Sequence, residues 1–117
     1  MGLSTHVLDT AHGCPAAGMA VELYETQGAN TRLVERFVLD TDGRHPGGQV
    51  LQAAALKKGT YRFVFDVAGY FRSRGVQLPD PSFLGHVSID FGVADAAQHY
   101  HVPLLVSPWS YSTYRGS

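Results

Sequence analysis

Hydrophobic and polar positions along this chain alternate with a period of two, the mark of strands that bury one face. Leu3 to Thr10 opens the series, with His6 between Thr5 and Val7. From Met19 to Thr26, Met19, Val21 and Leu23 fall on one side while Ala20, Glu22 and Tyr24 fall on the other. Gln27-Gly28-Ala29-Asn30 reads as a hairpin connection, and Thr31 to Leu39 as the returning strand. Gly59 to Val67 carries the clearest pattern. Tyr61, Phe63, Phe65 and Val67 oppose Arg62, Val64 and Asp66, which puts three aromatic rings on one face. Val87, Ile89, Phe91 and Val93 repeat the alternation, and His99 to Val106 and Ser110 to Ser117 are the last two strands, joined by a loop holding Pro108.

The segments between follow turn chemistry. Gly and Pro punctuate Ala11-His12-Gly13-Cys14-Pro15, and Thr41 to Gly48 contains Asp-Gly and Pro-Gly signals and carries Arg44. Ala68 to Arg74 predicts a short helix closed by Gly75, a residue that accepts a left-handed backbone. Leu78 to Pro81 breaks regularity. Val50 to Lys58 reads as irregular or as a short edge strand; a helical turn is the alternative, since Gln52 to Lys58 is rich in helix formers but too short for propensity to decide. Seven to eight short strands and one short helix predict an all-β protein, an antiparallel β-sandwich with a single domain over residues 1–117. No internal repeat interrupts it.

Composition narrows the function. A chain of 117 residues with 44% hydrophobic content supports one core. Net charge is −1 and the nine basic residues are scattered from Arg32 to Arg115, so no basic stripe points to nucleic acid. Cys14 is the only cysteine, which rules out an internal disulfide. Met1 to His6 lacks a signal-peptide pattern, and no apolar run approaches the roughly 18 residues of a membrane helix. The expectation is a soluble, cytoplasmic protein that engages neither nucleic acid nor membrane.

Candidate chemistry concentrates in the last nineteen residues, His99 to Ser117, which hold two histidines, three tyrosines, an arginine and several hydroxyls. His99 and His101 are two apart on a strand, so both imidazoles face the same side. Taken singly, each feature has an ordinary reading: a solvated strand histidine, a surface Arg44, edge-strand Tyr114 and Ser117. Three imidazoles could also hold zinc. His12, His45 and His86 lie in or beside turns and read as surface residues. Cys14 sits in a turn with nothing that marks it as an activated nucleophile.

The motifs combine into a family likeness. His99-Tyr100-His101-Val102-Pro103-Leu104-Leu105 followed by Tyr111-Ser112-Thr113-Tyr114-Arg115-Gly116-Ser117 resembles the closing signature of the transthyretin-related 5-hydroxyisourate hydrolases. Leu3-Ser4-Thr5-His6-Val7-Leu8-Asp9, Gly13-Cys14-Pro15-Ala16, Thr41-Asp42-Gly43-Arg44 and Gly59-Thr60-Tyr61 extend the resemblance over nearly the whole chain. It implies a transthyretin-like sandwich that hydrolyses 5-hydroxyisourate to 2-oxo-4-hydroxy-4-carboxy-5-ureidoimidazoline in urate breakdown, without metal or other cofactor. By the same resemblance, His6, Arg44, His101 and Tyr114 to Ser117 line one site. An imidazole would activate water near neutral pH, assigned to His101 with His6 as partner, the proton-taking member being left open. Arg44 would bind the substrate's carbonyl edge and stabilise the oxyanion, and Tyr114 would pack on the planar ring. Ser117 would orient a histidine or the water through its hydroxyl or a terminal carboxylate, and Arg115 would bind substrate or hold the terminus. The resemblance further implies a homotetramer, a dimer of dimers with sites where dimers meet. A small-ligand carrier using the same channel is the main rival, and it predicts apolar lining in place of imidazoles and a guanidinium. A purely structural sandwich module is the third reading; it leaves the reactive terminus without a purpose.

Overall fold

The computed structural model describes residues 2–117. Strands β1 (Leu3–Asp9), β2 (Cys14–Pro15), β3 (Ala20–Gln27), β4 (Asn30–Val38) and β5 (Gly59–Asp66) precede helix α1 (Val67–Ser73). Strands β6 (His86–Val93), β7 (Tyr100–Val106) and β8 (Tyr111–Thr113) follow it. They form two four-stranded sheets, in the orders β2-β1-β7-β8 and β4-β3-β5-β6. The alternation places the core between them. Leu3, Val7, Val102, Leu104 and Val106 from the first sheet meet Val21, Leu23, Tyr61, Phe63, Phe65 and Val87 from the second. Helix α1 adds Val67, Tyr70 and Phe71 to that core. Asp66 caps the helix by accepting from the Gly69 amide at 3.0 Å. Gly75, at φ +83°, turns the chain out of it.

Three features depart from the pattern read along the chain. First, β1 and β7 run parallel, in the register Leu3↔Tyr100 to Asp9↔Val106, whereas the other strand pairs are antiparallel. Period two reports which face a residue takes and is silent on strand direction, and these two strands are joined by everything from β2 to β6. Second, Cys14-Pro15, inside the predicted turn, pairs with Leu8 and Asp9 as a two-residue strand. Third, the last strand is shorter than its predicted span. β8 pairs Tyr111 to Thr113 with β7, and the ladder then lapses beside Pro103, which has no N–H to give. It resumes in the same register at a single bridge, His101↔Gly116. The segment Val50 to Lys58 is irregular, with one bridge from Leu51 to Leu3 and a turn at residues 53–55.

Two of the histidines read as surface residues are engaged. His12 Nδ1 lies 2.6 Å from Asp9 Oδ2, and Tyr70 donates to the same oxygen at 2.8 Å. His45 Nε2 lies 2.6 Å from Glu35 Oε2, and its ring packs 4.6 Å from Phe37. The His12 pair is local, three residues apart at the end of β1, and only the Tyr70 contact to the same carboxylate spans distant segments. His86 is exposed, as read from the sequence.

Candidate active site

The outward-facing positions of the β1/β7 pair build the site. Inward residues Leu3, Thr5 and Val7 leave Ser4 and His6 on the outer face of β1. On β7 the inward set Tyr100, Val102 and Leu104 leaves His101 outward. The parallel register sets Ser4 opposite His101 and His6 opposite Pro103, so the three polar side chains share one patch.

Arg44 arrives from a loop that completes the far edge of β1. That edge is covered in three pieces: Cys14-Pro15 at Leu8 and Asp9, Arg44 at His6, and Leu51 at Leu3. The Asp40 side chain ties the loop by accepting from the amides of Asp42 at 2.9 Å and Arg44 at 3.1 Å. Gly43 is required at the tip. Its φ is +75°, and a Cβ there would lie 2.5 Å from the Val7 carbonyl oxygen. Turn chemistry therefore delivers Arg44 beside His6. Arg32, Arg36 and Arg62 are each committed to a carboxylate, and among the described residues the Arg44 guanidinium has no such partner.

Electrostatics bind the three groups into one unit. Burial lowers the pKa of His101, and the charge of Arg44 lowers it further, with His99 and His6 adding to the effect and the Ser4 backbone opposing it. Burial and then Arg44 also lower the pKa of His6, against the backbone and carboxylate of Asp42 and the carboxylate of Asp40. Both shifts favour the neutral imidazole near pH 7.

The terminal segment closes over His101. The Gly116 amide donates to the His101 carbonyl at 2.8 Å, and a Cβ at Gly116 would stand 2.5 Å from His101 Cδ2. Arg115 faces the β6–β7 connection: its guanidinium donates to Gln98 Oε1 at 3.1 Å and to the His99 carbonyl at 3.3 Å, and lies 4.2 Å over the Tyr100 ring. It fastens the segment that carries Gly116. Tyr114 is 60% exposed and Ser117 is exposed, and within one chain neither has a hydrogen bond or ring contact with the two imidazoles.

Two contributors escape a reading of the sequence. Ser4 Oγ lies 2.7 Å from His101 Nδ1 and 3.3 Å from His99 Nε2, and Asp40 holds Arg44. Ser4 left a signal, since it shares a strand face with His6 two residues on. Gly116, within the terminal stretch that the resemblance assigns to the site, packs on the imidazole. A depression of about 580 Å³ lies elsewhere, between the β3–β4 turn and Lys57 to Tyr61. Among the described residues no three His, Cys, Asp or Glu side chains gather as metal ligands, and no helix is long and apolar enough to cross a membrane.

A two-sheet sandwich with paired imidazoles and a guanidinium on one outer sheet face defines a transthyretin-type fold bearing polar groups suited to proton transfer. The chain belongs to the HIUase/Transthyretin family, whose profile matches residues 3–116. It is 52% identical over 115 residues to the 5-hydroxyisourate hydrolase of Pseudomonas aeruginosa, covering 98% of this chain and 90% of that one. A crystal structure of an (S)-allantoin synthase superposes with a TM-score of 0.92 at 43% identity, covering 99% of this chain and 43% of that one. The structure of Klebsiella pneumoniae 5-hydroxyisourate hydrolase gives a TM-score of 0.79 at 33% identity, with 100% of both chains covered.

Proposed function

We propose that this chain hydrolyses 5-hydroxyisourate, opening its six-membered ring at a lactam C–N bond to give 2-oxo-4-hydroxy-4-carboxy-5-ureidoimidazoline during urate degradation. The observation that carries this reading is a pair of imidazoles with lowered pKa values beside an uncommitted guanidinium on one sheet face. Its similarity to 5-hydroxyisourate hydrolases along almost all of the chain supports the same reading.

In this mechanism an imidazole removes a proton from water as the water oxygen bonds to the lactam carbon. Arg44 stabilises the negative charge that develops on the carbonyl oxygen. The carbon–nitrogen bond then breaks and the departing nitrogen receives a proton. His6 and His101 face the reacting lactam together, Tyr114 covers the planar ring, and Ser117 supplies a hydroxyl at the rim. Arg115 serves by fastening the terminal segment to β7.

The proposal includes a homotetramer whose sites form between dimers, in a cytoplasmic setting. A polar patch on the outer face of a sheet favours a cleft completed by a second copy. Edge strands β6 and β8, and the exposed rings of Phe83, Trp109, Tyr111 and Tyr114, offer surfaces for such copies. The lone free Cys14 is compatible with a reducing compartment.

The test generates 5-hydroxyisourate in place from urate and a urate oxidase and follows its decay by absorbance. Fast decay with the wild type, lost in Arg44→Ala, supports the hydrolase. Decay at the spontaneous rate with folded oligomer rejects it in favour of a carrier.

A further inference from the structure

Three polar atoms form a chain on the outer face of the first sheet. His99 Nε2 and His101 Nδ1 both address the hydroxyl of Ser4, at 3.3 Å and 2.7 Å. Their rings lie nearly parallel, 12° apart in plane, with centroids 6.4 Å apart. The Ser4 hydroxyl is buried and has one hydrogen to give, and among the described residues it has no hydrogen-bond partner besides these two rings, so Ser4 donates to one imidazole and accepts from the other. The direction is decided at the far end. His99 Nδ1 is buried and, among the described residues, has no hydrogen-bond partner. A buried N–H without an acceptor is the rarer defect, while an unused lone pair is tolerated better. His99 therefore keeps its proton on Nε2 and donates to Ser4, and Ser4 donates to His101 Nδ1.

We infer that Ser4 and His99 are positioning residues that hold neutral His101 in its Nε2–H tautomer, making it a hydrogen-bond donor to the oxyanion and leaving His6 as the base. This rests on the hydrolase reading above. With His101 Nδ1 engaged as an acceptor, the lone pair of His101 is not free for water, and the base falls to His6, which shares the patch on β1. The two imidazoles thus meet the substrate with opposite capacities. The Ser4 backbone favours the charged form of His101, more weakly than burial and Arg44 disfavour it.

The proton balance closes without charging His101. His6 takes one proton from water as the oxygen bonds to the lactam carbon. His101 Nε2–H and Arg44 stabilise the oxyanion. His6 then delivers that proton to the nitrogen as the carbon–nitrogen bond breaks. A neutral imidazole acting as electrophile beside a separate base is established enzyme chemistry.

Ring ¹⁵N and ¹³C shifts of His101 test the tautomer without reference to activity. Wild type, measured above the titration, is expected to show one tautomer, protonated at Nε2, with Nδ1 shifted as a hydrogen-bond acceptor. Ser4→Thr and His99→Gln keep the needed donors and should match it, while Ser4→Ala and His99→Phe should give averaged tautomer shifts. A wild type protonated at Nδ1, or a Ser4→Ala spectrum identical to wild type, overturns the inference. In kinetics Ser4→Ala should lower kcat about tenfold with KM nearly unchanged, a fraction of the full acid–base contribution, and Ser4→Thr should restore it. His101→Gln, which keeps an N–H, should retain more kcat than His6→Gln; the reverse order overturns the division of roles. A wild type that leaves 5-hydroxyisourate at its spontaneous decay rate refutes the hydrolase reading, whereas the spectra judge the tautomer on their own.

Discussion

Gly116 lies so close to the His101 ring that any side chain at 116 would have to displace it: a Cβ would sit 2.5 Å from Cδ2 and 3.1 Å from Cγ. The amide of the same glycine donates to the His101 carbonyl at 2.8 Å, so backbone and ring are held by one residue. Gly116→Ala is therefore expected to cut kcat by about tenfold or more, since small misplacements of a reacting group are costly. Its melting temperature should stay within a few degrees of wild type, because residue 116 lies outside the core. A steady-state assay beside a thermal melt checks both. Full activity in the alanine variant contradicts a terminal segment that fixes the imidazole.

The pH profile should report the lowered imidazoles. Burial and Arg44 depress both pKa values below the ordinary 6.5, so the neutral forms persist at pH 7. Activity is expected to be flat near neutrality and to fall as pH drops below 6.5, where the base gains a proton. Arg44→Gln removes a positive neighbour from both rings, and the acid limb should move to higher pH. A limb that stays in place would mean that the guanidinium does not act on the histidines.

His6→Asn removes the base while leaving the fold intact, since residue 6 faces outward on β1. The loss in kcat should be on the order of a hundredfold or more. Wild-type activity is expected to survive a chelator unchanged. Chelator-sensitive turnover would call for a metal that the reading does not include.

Asp9 anchors the end of β1 to the helix. Its carboxylate, fully buried, accepts from the amides of Ala11 and His12, from the His12 ring and from Tyr70. Burial alone would raise its pKa, but the hydrogen bonds from Tyr70 and His12 outweigh that and hold it below the usual carboxylate value. A depressed carboxyl pKa stabilises the fold above the unfolded-state pKa, and that stability is lost as pH falls through the folded value. Tyr70→Phe deletes one donor to a buried anion and should cost about 1–3 kcal/mol at pH 7. Urea unfolding at pH 7 and at pH values below the ordinary 3.8 measures it, with the gap between variant and wild type narrowing as pH falls through the folded carboxyl value.

The long strands, their buried faces and the residue types of the site are legible in the chain alone. Alternation at Tyr61, Phe63 and Phe65 marks a core face because burial of apolar area is local to each side chain. The Asp42-Gly43 turn before Arg44 is legible for the same reason: backbone freedom belongs to the residue. Packing settles which strands lie together and in which direction. The register that sets Ser4 against His101, 97 residues away, and the return of Gly116 onto that ring past Pro103, depend on contacts between distant segments. A period-two pattern is the same for parallel and antiparallel neighbours and for every even shift of register, so only the packing of one common core selects among them.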